Sequence, residues 1–322
     1  MTRLFSSILV MLLLSASASA AAQTKLKIGT LPIADTLILH VAQRDGFFKE
    51  VGLEVELIPF QSFVEKNAAV QSGELDGHFS EISAVIIQRA AGLPYVVIAI
   101  TSHTSAETRM FGLITSPKKA QAGLEQLEGL SLATSRLAIV DFLADVFLEK
   151  NGKKADFMKR QNLPKIPVRM QMLISSQVDA AVLPEPLLSI AEKAGGRVLL
   201  DDRELSMPLA VVALRDDLAT FETVRSFQSA LTKAGLAINK DPKGSLDLLL
   251  KLRLIPPQLA ESYPPPYFDM SIIPESLPGP GLYEMYTDWL VKNKVLADKE
   301  KPGGLPLPPP YEQAVWPGSA KP

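Results

Sequence analysis

The chain has 322 residues, 47% of them hydrophobic, and this length predicts two domains, each able to bury a core. Its 33 lysine and arginine residues nearly balance 35 aspartate and glutamate residues, and the net charge of -2 excludes a general attraction for nucleic acid or an anionic membrane. Because the chain has no cysteine, a disulfide framework, a thiolate metal site and a cysteine nucleophile are also excluded.

The N-terminus has the three parts of a secretory signal peptide. Arg3 precedes an apolar run over residues 4–14, and alternating serine and alanine residues then offer an Ala-Ser-Ala cleavage site that ends at Ala20. The run is about half the length of a membrane span, which favours a cleaved signal over an anchor. We therefore expect residues 1–20 to be removed and the mature chain to be a soluble periplasmic protein.

Strand and helix patterns then alternate. Ser62 and Glu65 form a capping box at the start of one helix, which is typical of a helix that follows a strand and a turn. Alternation at this spacing predicts parallel βαβ units. The predicted strands are residues 25–29, 53–59, part of 74–81, 95–101 and 110–115, and the predicted helices are residues 36–45, 62–73 and 81–91.

The same alternation starts again after Ser116-Pro117, which breaks the preceding strand. Thr134 and Ser135 cap the first helix of this second series, and Gly152 ends it. A second series of strands and helices predicts a second lobe. Its predicted strands are residues 130–133, 158–163, 179–183 and 197–200, and its predicted helices are residues 136–150, a helix opened by Pro167, and residues 186–194.

Two predicted strands, residues 110–115 and 208–214, have no partner within the second lobe. We interpret them as the two places where the chain crosses between the lobes. The prediction is a discontinuous first lobe, formed by residues 25–115 and 209–322, with the second lobe inserted as residues 116–208.

The pattern becomes helical, without strands, from Thr220 onward. We expect these helices to pack on the first lobe. The proline-rich tail from Lys301 cannot form a helix or a central strand, so it is expected to lie extended along the surface. The predicted helices are residues 220–239, 243–252, 257–262 and 281–296.

Two similar stretches lie about a hundred residues apart, ELDGHFSE at residues 74–81 and QVDAAVLPEP at residues 177–186. Each follows a helix and reads as a turn with an aspartate, a buried strand and an acidic residue. Open α/β sheets bind ligands in the crevice outside the carboxyl ends of such strands. The pair therefore predicts one ligand-binding edge in each lobe, although two ordinary sheet units with aspartate-capped turns would read the same way.

Five further segments stand out for their order and spacing: KIGTLP, DGFFKEVGLEVEL, SGELDG, LEGLSLATS and VDAAVLPEPL, followed by Trp289 in a late helix. Together they resemble type II periplasmic solute-binding proteins of ABC importers, in the branch that serves nitrate, sulfonates, taurine and thiamine-precursor pyrimidines. The resemblance implies an α/β fold of two lobes, each a mainly parallel sheet flanked by helices, joined by two hinge strands. It also implies one small solute between the lobes, no cofactor, a membrane permease as partner, and a monomer.

In such a cleft, polar groups at helix starts face the solute, because free backbone N–H groups and the helix dipole favour acceptor atoms there. The serine and threonine candidates are explained equally well as helix caps. Arg136 opposes the dipole of its own helix unless a carboxylate or an anionic ligand is near, although it also fits an ordinary surface arginine. One cation against three acidic candidates favours a solute with both acidic and amino or ring-nitrogen groups over a bare oxyanion. The candidates are Pro32, Asp35, Thr36, Gln61, Ser80, Glu81, Thr101, Thr134, Ser135, Arg136 and Glu185.

Catalysis on the same fold is the main competing class. His40, His78 and His103 show no metal-ligand spacing, and no serine lies in a nucleophile-elbow sequence. Two enzyme groups resemble this chain: pyrimidine synthases, whose cysteine-rich motif is missing here, and cytoplasmic chorismate dehydratases, which have no export signal. We therefore expect a binding protein and no enzyme or metal site. An exported sensor would use the same two-lobed clamp, and the sequence leaves that alternative open.

Overall fold

The computed structural model describes residues 24–104, 106–205, 207–264, 267–268 and 277–297. The predicted signal peptide, residues 1–20, and the predicted extended tail from residue 301 lie outside these residues. No helix within the described ranges is long and apolar enough to cross a membrane.

Ten strands and ten α-helices form in the described part of the chain. The strands are β1 (Thr24–Thr30), β2 (Leu53–Pro59), β3 (Gly77–Ser80), β4 (Tyr95–His103), β5 (Phe111–Thr115), β6 (Ser131–Thr134), β7 (Lys159–Asn162), β8 (Ala180–Pro184), β9 (Val198–Asp201) and β10 (Pro208–Arg215). The helices are α1 (Leu37–Arg44), α2 (Phe47–Glu50), α3 (Phe63–Gln71), α4 (Ile82–Ala90), α5 (Ile139–Lys150), α6 (Ile166–Ile174), α7 (Leu187–Lys193), α8 (Phe221–Lys240), α9 (Pro242–Lys251) and α10 (Pro280–Lys292).

The strands form two sheets of five, with matching architecture. The first has the order β2-β1-β3-β10-β4 and the second the order β7-β6-β8-β5-β9. In each sheet the first three strands are parallel, and the fourth is antiparallel to both of its neighbours. With helices flanking both sheets, the predicted α/β fold of two lobes is confirmed.

The position of β5 corrects the predicted boundary of the first lobe at residue 115. Phe111–Thr115 pairs with β8 and β9 in the second sheet, so it belongs to the second lobe. All five of its residues are buried, and a fully buried strand carries no outward-facing pattern that would tell which sheet it joins. The other predicted crossing strand, β10, does pair in the first sheet.

The chain therefore passes between the sheets twice, between β4 and β5 and between β9 and β10. These two crossing segments are hydrogen-bonded to each other: Thr104 N donates to Met207 O at 3.0 Å, and Met207 N donates to Thr104 Oγ1 at 2.8 Å. Asp202 adds a bond, since its Oδ1 accepts from Met110 N at 2.9 Å. The crossing segments are therefore tied together by one backbone–backbone bond and by bonds to the Thr104 and Asp202 side chains, and a hinge at this place stays a prediction.

Helices α8 and α9 pack on the first lobe as predicted, both of them against α1. Helix α10 does not follow the prediction, because it contacts both lobes. It packs on α4 of the first lobe, while its Trp289 and Tyr286 rings lie against Phe142 of α5 in the second. Amphipathic spacing predicts a buried face but does not identify its partner. The helix predicted at residues 257–262 is a single 3-10 turn, Pro257–Leu259.

Candidate functional site

A small cavity of about 30 Å³ lies between the two lobes. This volume corresponds to about two water molecules. Its lining is mostly aliphatic and aromatic, with phenylalanines from both lobes, Phe63 and Phe79 from the first and Phe111 from the second. Two charged side chains line it as well, Glu81 from the first lobe and Arg169 from the second, so the lobes meet around a small apolar space with one acid and one base.

Glu81 joins the two lobes directly. It follows β3 and immediately precedes α4, and only 4% of its surface is exposed. Its Oε2 accepts a hydrogen bond of 2.7 Å from the backbone N–H of Ile139, the first residue of α5 in the second lobe. A carboxylate is favoured at a helix N-terminus by the free N–H groups and the helix dipole. Burial raises the pKa of Glu81, whereas the hydrogen bond from the Ile139 N–H and the positive charges of Lys66 and Arg169 oppose this rise and stabilise the carboxylate.

Arg169 is the cation of the cavity and is not among the residues predicted from the sequence. It is 1% exposed, and its Nη1 donates to Leu163 O at 2.8 Å, whereas Nε has no hydrogen-bond partner among the described residues. Burial lowers its pKa to about 10, against the influence of the Glu81 carboxylate. It lies on the apolar stripe of α6 that includes Ile166 and Leu173, and a charged residue at such a position is the sequence signal that could have identified it.

A buried chain of hydrogen bonds lies near Glu81. Lys66 Nζ lies 2.7 Å from His78 Nδ1, and His78 Nε2 lies 3.1 Å from Gln88 Oε1. A protonated lysine can only donate, so Nδ1 accepts and the proton of the neutral imidazole is on Nε2. Burial and the positive charge of Lys66 hold the pKa of His78 well below its usual value, and burial lowers the pKa of Lys66 while the Glu81 carboxylate opposes that change. Lys66, like Arg169, occupies the buried stripe of its helix and is not among the residues predicted from the sequence.

A second buried polar cluster lies near the crossing. Burial raises the pKa of Asp35 to about 8, and the negative charges of Asp202 and Glu185 add to this effect. Asp35 Oδ2 has no hydrogen-bond partner among the described residues. Glu185 is neutralised by Arg109, whose Nε lies 2.8 Å from its Oε1. Burial and the negative charges of two further carboxyl groups thus favour a protonated Asp35.

The candidates from the sequence fall into three groups. Glu81 and Ser135 line the cavity. Asp35, Thr101 and Glu185 are buried outside its lining, and Thr101 Oγ1 has no hydrogen-bond partner among the described residues. The other six are explained by local structure or exposure: Pro32, Thr36, Gln61, Ser80, Thr134 and Arg136.

The hydroxyl groups in the third group form short-range bonds. Thr36 Oγ1 donates to Ile33 O at 2.8 Å, Thr134 Oγ1 donates to Asp141 Oδ1 at 2.9 Å, and Ser80 Oγ donates to the carbonyl of the next residue. Pro32 is half-buried and Gln61 is exposed, and neither lines the cavity. Arg136 is exposed and borders a neighbouring pocket of about 200 Å³ that shares Phe63 and Ser135 with the cavity lining. Solute contact by any of these residues stays a prediction.

The two matching sheets, with a cavity between them that both lobes line, define a two-lobed binding protein. Residues 34–245, more than half of the chain, match the family model described as NMT1/THI5 like, so the chain belongs to that family. A comparison with curated proteins finds no match. Among the described residues, no group of His, Cys, Asp and Glu side chains is arranged to hold a metal ion.

Solved structures share the fold at low sequence identity. The ligand-binding component of an ABC-type import system from Staphylococcus aureus, with zinc bound, has a TM-score of 0.69 at 18% identity, covering 91% of this chain and 99% of its own. The alkanesulfonate-binding protein SsuA from Xanthomonas axonopodis pv. citri, bound to MOPS, has a TM-score of 0.71 at 17% identity, covering 87% and 96%. The periplasmic nitrate-binding protein NrtA from Synechocystis PCC 6803 has a TM-score of 0.68 at 14% identity, covering 87% and 84%.

Proposed function

We propose that this protein is an exported solute-binding protein that captures a small polar organic molecule between its lobes and delivers it to the permease of an ABC importer. The observation that carries the proposal is the cavity between the lobes, which Glu81 of the first lobe and Arg169 of the second both line. The family membership and the ABC import components among the structural neighbours support it. The N-terminal sequence supports export.

Capture in this geometry requires the lobes to move. A space of about 30 Å³ is smaller than any organic solute, so the lobes must separate for entry and close around what has entered. The first lobe contributes Glu81 and the second contributes Arg169, and a solute reaches both only in the closed form. Closure and binding are then one linked equilibrium.

The lining also supports a description of the solute. Phe63, Phe79 and Phe111 provide apolar and aromatic walls that favour a hydrocarbon or ring portion. Arg169 has an unused donor in a buried setting, which favours a ligand with an acceptor group. We infer a small molecule that has a compact apolar body and at least one polar head group.

Mass spectrometry of the protein purified without refolding from the exported fraction tests this proposal directly. We expect a co-purified small molecule, and we expect calorimetric titration with that molecule to show one site. Replacing Arg169 by methionine should weaken binding by about 1.5–3 kcal/mol, the value of a charge-assisted hydrogen bond. Arg136→Ala is the comparison, since that arginine lies outside the cavity lining and should matter only if the site extends to the surface.

Two alternatives are separated by further measurements. Uptake of the identified solute by cells with and without this gene distinguishes an importer component from a sensor, because a sensor leaves uptake unchanged. Incubation followed by mass spectrometry distinguishes a binding protein from an enzyme, because an enzyme would convert the solute. Failure to detect binding of any small molecule would contradict the proposed function.

A further inference from the structure

Glu81 occupies a position at which a protein commonly binds an anion. The N-terminus of a helix presents free backbone N–H groups and a positive dipole end, and α5 is a helix of 12 residues. Glu81 Oε2 accepts the N–H of the first residue of α5, Ile139, at 2.7 Å. Both residues are buried, with 4% and 5% exposure. A side chain of the first lobe thus takes the anion position of a helix in the second lobe.

The charges around this contact come from several elements. Lys66 on α3 and Arg169 on α6 act on Glu81 as positive neighbours, and Asp35 acts as a negative one when it is ionised. Arg169 lines the same cavity and keeps its Nε without a hydrogen-bond partner among the described residues. The cavity therefore presents a carboxylate that is already bonded to the protein and a guanidinium with an unused donor.

We propose that Glu81 is an internal anion that holds the lobes together and sets the ligand class: the site accepts a solute with a hydrogen-bond donor for Glu81 and an acceptor for Arg169, and it rejects bare oxyanions. This inference rests on the proposed function and defines its substrate class. A bare oxyanion would compete for an occupied helix N-terminus and would lie beside a carboxylate in a poorly solvated space, where repulsion between like charges is strong. A donor group, such as an amide, amidine or ammonium, would instead find an acceptor there.

The specificity part is tested with Glu81→Gln. Glutamine keeps an acceptor for the Ile139 N–H, removes the negative charge and adds an NH₂ donor. We expect calorimetric titration with sodium sulfate and sodium nitrate, against sodium chloride at equal ionic strength, to show at least roughly tenfold tighter anion binding in Glu81→Gln than in the wild type. Adding Arg169→Met to this variant should remove the gain.

Glu74→Gln is the matched control, because Glu74 is an exposed glutamate seven positions earlier and its replacement changes the net charge equally. We expect it to bind sulfate and nitrate no better than the wild type. If the wild type binds either anion as tightly as Glu81→Gln, or if Glu74→Gln gains as much, the assignment of specificity to Glu81 is wrong.

The claim that Glu81 holds the lobes together is tested with Ile139→Pro, which removes the hydrogen-bond donor. Ile139 is the first helical residue, where proline is well tolerated, and Ala138 before it has an extended backbone (φ -87, ψ 169) that suits a residue preceding proline. The substitution removes the N–H that Glu81 accepts, while Ile139→Ala removes a similar amount of side chain and keeps the N–H. We expect small-angle X-ray scattering without added solute to give a larger radius of gyration for the proline variant only.

Equal radii of gyration for the two Ile139 variants would show that the bond to Glu81 does not hold the lobes together. If the proline variant does not fold, Glu81→Ala replaces it, with sodium acetate as the probe. Acetate can supply the missing carboxylate, so we expect it to restore the compact form, and no response to acetate would lead to the same conclusion. These measurements use added anions and no natural solute, so their failure is distinguishable from a failure to find a transported molecule.

Discussion

Replacing Trp289 by phenylalanine isolates the bond that ties α10 to the second lobe. Trp289 Nε1 donates to Asp145 Oδ2 at 2.9 Å, and its ring meets that of Phe142 edge-on with centroids 5.4 Å apart. Phenylalanine keeps most of the packed aromatic surface but cannot donate. A hydrogen bond to a charged group contributes about 1.5–3 kcal/mol, so we expect a loss of about 2 kcal/mol in the free energy of unfolding. For a chain of this size, with an unfolding entropy of about 0.6–0.7 kcal/mol/K, that loss lowers the melting temperature by roughly 3 °C.

Tyr286→Phe is the matched control on the same helix. Its hydroxyl is buried and has no hydrogen-bond partner among the described residues, so its removal should cost nothing and can add up to about 1 kcal/mol. Urea denaturation followed by far-ultraviolet circular dichroism measures both variants without depending on tryptophan fluorescence. A Trp289→Phe protein within about 0.5 kcal/mol of the wild type, or an equal loss in Tyr286→Phe, would show that the bond does not stabilise the α10 contact.

Three further outcomes are expected. Burial raises the pKa of Asp35 from 3.8 to about 8, so the stability that a protonated Asp35 contributes is fully present below about pH 3.8 and is lost as the pH rises through about 8; Asp35→Asn should flatten this decline in urea titrations. Arg109→Met leaves Glu185 buried without its cation and should cost about 3–5 kcal/mol, whereas adding Glu185→Gln should recover part of that loss in the same assay; no recovery would contradict the pairing. N-terminal sequencing of periplasmic material should give Ala21 or Gln23 as the first residue, and retention of the first fourteen residues would contradict export by a cleaved signal.

Local patterns were sufficient to predict the architecture of the chain. The strand predicted at residues 53–59 coincides with β2, and Ser62 caps α3 by accepting from Glu65 N at 3.1 Å, as its capping-box sequence predicts. These features depend on residues close together in the sequence. The pairing partner of a strand depends instead on residues far away in the sequence. The fully buried pattern of Phe111–Thr115 fits a central position in either sheet, so it does not identify the partner strands.

The polar residues of the cavity were harder to predict, for a related physical reason. An amphipathic pattern assigns charged residues to the exposed face of a helix. It therefore does not predict that Lys66 and Arg169 lie on buried faces. Arg136, at an obvious helix start, is exposed instead. Glu81 was predicted from its place after a buried strand, but its bond to Ile139 joins residues 58 positions apart and depends on how the lobes close.

The place of β10 in the first sheet determines the order in which the lobes can be completed during synthesis. Strand β10 lies between β3 and β4, and among the described residues β4 has no other neighbour in that sheet. The second sheet comes from one continuous stretch that ends with β9 at Asp201. It can therefore assemble while β4, an apolar strand, still awaits Pro208–Arg215. Unpaired apolar strand edges promote aggregation, so the nascent first lobe is at its most aggregation-prone until β10 emerges.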